Sequence, residues 1–363
     1  MWGRTQRTIF FVKHIFTLRP SAARISIANL GRRTIRIPPE YLLDDYFPNY
    51  LRQSPETLAA KIEESDKHLK DCRLCPHDCG VDRYTDRGYC AVGADRVPVS
   101  TISPHFGEEP CLTGTNGSGT IFFSSCNLRC VFCQNYETAH VPDAGEMLTA
   151  EEIGEWMVKL QDLGNCHNIN LVTPEHVVPI VVKAIIKARD LGLTVPIVYN
   201  TSSFDSEASL RLMDGLVDIY LADFKVWEPA TAKRLLKSEH YPEAARNALK
   251  EMTKQVGVLK FTADGLAKQG VLIRHLIMPT YEQDSASIMK FIADEVDRDS
   301  FVHVMTQYYP SGHVGRPRTR GSGIRYSELN RAVTDVEGAK VMQAARAAGL
   351  WRFNDASEYA LYA

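Results

Sequence analysis

Long apolar runs are missing from this 363-residue chain. No stretch approaches the ~20 consecutive apolar residues that a membrane-spanning helix needs. An excess of positive charge is missing as well. Lys and Arg number 42 against 44 Asp and Glu, a formal net charge of -2, which argues against tight nucleic-acid binding as the main task. The balance is uneven along the chain. Residues 1–39 hold eight Lys or Arg and no acid, so the remainder carries 34 basic against 44 acidic residues. Cysteine is scarce, nine in all, yet seven of the nine fall into two tight groups. Otherwise 44% hydrophobic and 24% charged residues are ordinary for a globular chain with room for one or two domains.

The acid-free start, MWGRTQRTIFFVKHIFTLRPSAARISIANLGRRTIRIPP, is arginine-rich and interleaved with apolar residues. That composition reads as a mitochondrial transit peptide, the alternative being a disordered basic arm. Its apolar run Ile9–Val12 is broken by Lys13 and is too short for a secretory signal core. Pro38 and Pro39 mark a break before the aromatic-rich stretch Tyr41–Tyr50, which is expected to pack across the body.

The first tight cysteine group is Cys126, Cys130 and Cys133 in GTIFFSSCNLRCVFCQNY. A short apolar run, Thr120 to Phe123, reads as a buried strand ended by Ser124 and Ser125. The C-x3-C-x2-C spacing lets one loop wrap three thiolates around a single iron–sulfur cluster. Complete ligation of a cuboidal 4Fe-4S cluster takes four cysteines, so three leave one iron open to chelate a small molecule. A zinc site, a disulfide knot and a fully ligated cluster are the alternatives, but zinc sites usually come as two separated C-x2-C pairs.

The other group is Cys72, Cys75, Cys79 and Cys90 in CRLCPHDCGVDRYTDRGYC. Four thiolates within nineteen residues, with Gly80 and Gly88 allowing tight turns, can close around one metal centre, either zinc or a fully ligated auxiliary cluster. Disulfides are the alternative. Cys111 and Cys166 stand alone and read as small buried hydrophobes.

Strand and helix signals alternate downstream. Thr149 and Glu152 form a capping box before a helix with apolar Ile153, Trp156, Met157 and Leu160. Strands are expected at Asn168–Val172, Val195–Tyr199, Val217–Ala222, Gly270–Met278 and Phe301–Thr306. Helices fall between them, as at Ala208–Leu216, Ala244–Val256 and Ser285–Val296. With Thr120–Phe123 this makes six strand–helix units and predicts an α/β fold, an open, partial (β/α)6 TIM-like barrel. Ligands of such sheets sit at the carboxyl ends of the strands. Those ends are polar here: Thr173-Pro174-Glu175-His176, Tyr199-Asn200-Thr201-Ser202, Asp223-Phe224-Lys225, Arg274-His275 and Gln307-Tyr308.

The C-x3-C-x2-C loop after the first barrel strand, with Phe132 before its last cysteine, resembles the hallmark of the radical SAM superfamily. That resemblance implies a 4Fe-4S cluster on Cys126, Cys130 and Cys133 whose open iron binds S-adenosyl-L-methionine, and reductive cleavage to a 5′-deoxyadenosyl radical that abstracts hydrogen from a substrate. The blocks NINLVTPEHVVP, VYNTSS, DIYLADFK, HYPEAARNALKEM, VLIRHLIMP and MTQYYP resemble the branch related to pyruvate formate-lyase activating enzyme. Within it they resemble a poorly characterised group that also begins with a CxxCPxxCG segment, here CRLCPHDCG, and with EEPCLTGTNGSGTIFF. The match runs from about residue 72 to 350. It implies that Asp223 and Lys225 contact the cofactor, since Asp-x-Lys closes the fourth strand in the activating enzymes. Two residues apart, their side chains point the same way; as a mere exposed ion pair they would contribute about 0–1 kcal/mol. Thr173-Pro174-Glu175 stands where the superfamily usually has Gly-Gly-Glu, which places Glu175 at the methionine amino group, and Asn200 and Ser202 at the cofactor's polar edge.

Residues 1–39 are thus the leader or arm, 40–110 an extension with the four-cysteine metal site, 111–310 the radical SAM core, and 311–363 a C-terminal loop and helix. Gly312–Gly323 (GHVGRPRTRGSG) reads as a surface loop, the alternative being a lid or an anion-binding arm. No C-terminal glycyl-radical motif is present. The implied activity is hydrogen abstraction from an unidentified substrate, such as a glycine of a partner protein. An electron donor such as flavodoxin or ferredoxin would serve it. The alternative is a non-catalytic iron–sulfur or zinc scaffold derived from the fold.

Overall fold

The computed structural model describes residues 37–318 and 322–354. The basic leader reading therefore falls, but for its last three residues, outside the described residues. In chain order the elements begin with α1 (Pro55–Lys70), β1 (Val97–His105), α2 (Pro110–Thr113), β2 (Ser118–Phe123), α3 (Tyr136–Ala139), β3 (Glu146–Leu148) and α4 (Ala150–Asp162). They continue with β4 (Ile169–Val172), α5 (Val178–Asp190), β5 (Ile197–Thr201), α6 (Glu207–Met213), β6 (Ile219–Asp223), α7 (Pro229–Leu235) and α8 (Tyr241–Val256). Then come β7 (Lys260–Phe261), β8 (Ala267–Leu276), α9 (Glu282–Phe291), β9 (Phe301–Met305), α10 (Asp335–Ala347) and β10 (Arg352–Phe353).

One sheet runs β10-β9-β8-β6-β5-β4-β2-β1-β3, with β7 paired to β8. Along that order the pairs from β2 to β10 are parallel, whereas β7–β8, β1–β2 and β1–β3 are antiparallel. The sheet does not close, so the fold is the expected open, partial barrel with its six strand–helix units. The edge strands β3 and β10, and β1 beside β3, gave no sequence signal. β1 reads VPVSTISPH, whose two prolines and Ser/Thr content look like a loop. The strand expected from Val195 starts at Ile197; Pro196 has no N–H to give to the ladder, and its carbonyl instead accepts Ile169 N–H at 2.8 Å. The capping box at Thr149 and Glu152 is formed, with bonds of 2.8 and 3.2 Å.

Strand residues alternate between two apolar clusters, because successive side chains leave opposite faces. Ile197, Tyr199, Tyr220, Ala222, Val271 and Ile273 pack outward among the helices. Val198, Ile219, Leu221, Leu272 and Phe301 point inward, where Tyr41, Cys111, Leu112 and Phe261 close the amino-terminal end of the barrel. Thus Tyr41 and Tyr50 do pack across the body: Arg352 stacks 3.6 Å over the Tyr41 ring, and the Tyr50 hydroxyl donates to Val195 O at 2.9 Å. Cys111 and Cys166 are buried, as expected.

Candidate active site

Carried two residues further, the same alternation turns Asn200, Asp223, Arg274 and His303 inward above the apolar plug. Arg274 is the hub. Its Nε donates to Asp223 Oδ1 at 2.8 Å, Nη1 to Glu108 Oε2 at 3.0 Å and Nη2 to Asn200 Oδ1 at 2.7 Å. The Lys225 ammonium reaches Asp223 Oδ2 at 2.5 Å. Burial opposes ionisation of Asp223, but the Arg274 and Lys225 cations overcome it and hold the carboxyl below its ordinary value. Glu109, buried at the start of α2, accepts from His303 Nδ1 at 2.7 Å.

Glu175 and Ser202 form a second group beside the first. Oε1 of Glu175 accepts from Ser202 N at 2.7 Å and Ser202 Oγ at 2.6 Å. Tyr241 joins the groups: its hydroxyl accepts Lys225 N–H at 2.9 Å and donates to Ser202 O and Asp223 O. Asp205, pinned by Tyr199 Oη at 2.7 Å and Thr201 Oγ1 at 2.6 Å, is pushed up to about 7 by burial and then by the charge of Glu175.

The three-cysteine loop lies over both groups. Buried Leu128, Val131 and Phe132 anchor it. Val131 N–H donates to Leu235 O at 2.8 Å, and the Asn127 amide to Phe204 O at 2.9 Å. Burial raises all three thiols, Cys130 to about 12. Glu175 adds to the rise at Cys126, whereas Lys225 pulls Cys130 and Cys133 back. The structure therefore brings Cys126, Cys130, Cys133, Glu175, Asn200, Ser202, Asp223 and Lys225 to one end of the barrel.

Among the described residues no three His, Cys, Asp or Glu side chains close on a single-ion point. One tetrahedral ion with metal–sulfur bonds of about 2.3 Å holds its sulfurs close together, while a cuboidal cluster binds each thiolate at a different iron and spreads them. The residues fit the cluster and S-adenosylmethionine in a second respect. Glu175 Oε2 is buried without a hydrogen-bond partner, as are Ser125 Oγ and Ser203 Oγ. A buried carboxylate oxygen left free is costly unless a donor such as an ammonium meets it.

The Gly312–Gly323 segment is more than a surface loop at its start. His313 N–H donates to Val131 O at 2.7 Å, and a Cβ on Gly312 would stand 2.7 Å from that same oxygen. Residues 319–321 of the segment lie outside the described residues.

Cys72, Cys75, Cys79 and Cys90 gather in a lobe against this loop. No two cysteines are joined by a disulfide. His77 of the lobe bonds Asn127 O, inside the three-cysteine loop, at 2.7 Å and stacks 3.8 Å from Tyr89. Glu108, Glu109 and His303 were missed from sequence. The pair Glu108-Glu109 precedes the barrel's first parallel strand, and only folding brings it to Arg274 and His303, 166 and 194 residues away.

The geometry is an open parallel barrel with three thiols in the loop after its first parallel strand. Residues 120–270 match the family model described as the Radical SAM superfamily. It is similar to two uncharacterized proteins of Methanocaldococcus jannaschii. One is 28% identical over 298 residues, covering 80% of this chain and 79% of the relative; the other is 22% identical over 271 residues, covering 68% and 73%. Among solved structures, Streptococcus suis SuiB bound to S-adenosylmethionine aligns with a TM-score of 0.38 at 11% identity, over 62% of this chain and 44% of that one. The cobalamin-dependent S-adenosylmethionine radical enzyme OxsB aligns with a TM-score of 0.34 at 11% identity, over 50% and 29%. The chain spans less than half the length of each of these two solved structures.

Proposed function

We propose that this protein is a radical SAM enzyme of the branch related to pyruvate formate-lyase activating enzyme. Cys126, Cys130 and Cys133 would ligate a 4Fe-4S cluster. With S-adenosylmethionine bound, such a centre supplies reductive cleavage of the sulfonium and, through the deoxyadenosyl radical, hydrogen abstraction. The chain's own residues bind and orient. Glu175 offers its free Oε2 to the methionine ammonium, with Ser202 fixing the carboxylate. Asp223 accepts from the cofactor's donors, Lys225 offers a cation to its carboxylate, and Arg274 holds Asp223 ionised and in place. Asn200 stands on the polar edge.

The observation that carries this reading is the unpartnered Glu175 oxygen beside three thiols raised by burial. A scaffold that only binds a metal has no use for it. The branch resemblance favours a glycine of a partner protein as hydrogen source and a flavodoxin or ferredoxin as reductant; the cysteine spacing favours a second metal centre on Cys72, Cys75, Cys79 and Cys90, and the acid-free, arginine-rich leader a mitochondrial site of action. Replacing Cys126, Cys130 and Cys133 together with Ala should abolish deoxyadenosine formation from S-adenosylmethionine by the anaerobically reconstituted, reduced protein. Cleavage that survives in the triple variant would overturn the assignment.

A further inference from the structure

Arg83 lies between Cys79 and Cys90 and is only 4% exposed. Its Nε and Nη2 donate to Cys72 Sγ at 3.2 and 3.1 Å, and Nη2 also to Cys90 Sγ at 3.3 Å. The remaining nitrogen, Nη1, donates to His176 O at 2.6 Å. No carboxylate pairs with it among the described residues. The nearby acids are spent elsewhere: Asp71 and Asp78 on Arg73, Asp82 on Tyr84 N–H, and Asp86 on the N–H groups of Arg87 and Gly88.

A guanidinium does not give up its proton in a protein. Buried without a counter-charge it is strongly unfavourable. The groups within reach that can become anionic are the cysteine sulfurs. Neutral thiols would leave the cation uncompensated, and so would a disulfide between Cys72 and Cys90. The thiolate is the form that ligates metals. The sulfurs do not close on a single-ion point, which disfavours tetrahedral zinc and suits a centre that spreads its ligands over several metals.

We propose that Cys72, Cys75, Cys79 and Cys90 hold an anionic iron–sulfur cluster and that Arg83 is its built-in counter-cation. This rests on the second metal centre proposed above and goes further: it fixes the metal type and gives Arg83 a role. Arg83 is a positioning residue. Its N–H groups aim at the two most buried sulfurs, and hydrogen bonds to cluster sulfurs set the reduction potential. Because reduction adds negative charge, the arginine favours the reduced form. Nη1 on His176 O ties the same side chain to the loop carrying Glu175.

The test uses the full chain with Cys126, Cys130 and Cys133 replaced by Ala, reconstituted anaerobically with iron and sulfide and without S-adenosylmethionine. The expected result is retained iron and acid-labile sulfide in equal amounts. Arg83→Met should lower the midpoint potential by at least about 59 mV, a tenfold change in the one-electron equilibrium. Arg83→Lys keeps the charge but not the fork and should recover part of that shift; it also serves if the Met variant does not fold. Zinc in place of iron, a Cys72–Cys90 disulfide in the isolated protein, or an unchanged potential in the variants would each overturn the proposal. None of these readings involves cofactor cleavage, so failure here leaves the proposed activity standing, and loss of that activity leaves this inference standing.

Discussion

Asp223 and Lys225 form a pair whose two members should fail differently. Their side chains are 17% and 20% exposed, so the pair is mostly buried, unlike the exposed pair the sequence allowed for. Asp223→Ala leaves the Lys225 ammonium with no carboxylate among the described residues and strips Arg274 of one of three partners. Removing one member of a buried pair costs about 3–5 kcal/mol, because a buried charge is left uncompensated. Lys225→Met is milder. Asp223 keeps Arg274 at 2.8 Å, so the loss is one charge-assisted hydrogen bond, about 1.5 kcal/mol. Cofactor affinity should respond more evenly. Each variant loses a charge-assisted contact worth about 1.5–3 kcal/mol, or roughly tenfold to a hundredfold in Kd. Equilibrium urea unfolding measures the first effect, and titration of the cluster's spectroscopic signal with S-adenosylmethionine measures the second. Unchanged affinity in both variants would reduce the pair to a support for the barrel rim and refute the cofactor role.

Asp205 makes stability pH-dependent: its carboxyl titrates at about 7 when folded against an ordinary 3.8. Its contribution is therefore full below about pH 4 and declines as pH rises through about 7. Asp205→Asn, whose amide can exchange hydrogen bonds with the two hydroxyls, should flatten the fall in urea midpoint between about pH 4 and 7; an unaltered slope would speak against the shift. Gly312→Ala forces a Cβ to 2.7 Å from Val131 O at a φ of +61°. That left-handed strain of about 1–2 kcal/mol should shorten the half-life of the cluster against a chelator, and an unchanged half-life would mean the contact is unimportant to the loop. A fluorescent reporter carrying residues 1–45 should enter mitochondria, and a cytosolic one would remove the leader assignment.

Local chemistry made much of this protein legible in its sequence. Three cysteines within eight residues must share one loop, and the capping box at Thr149 needs only residues three apart. The short apolar runs of strands such as Ile197–Thr201 and Ile219–Asp223, each ending in polar residues, are likewise local, which is why the open parallel barrel and its polar rim could be expected. Tertiary structure decided what depends on distant partners. The carboxylates of Glu108 and Glu109 acquire meaning only against Arg274 and His303, and Asp223 and Lys225 become a buried pair only because Arg274 and Tyr241 enclose them. Arg83 is one arginine among many until folding places its guanidinium on two thiols, with no carboxylate partner among the described residues. Sequence spacing sets which groups can meet through the backbone; burial, which sets the cost of a charge and hence its partner, is a property of the packed chain alone.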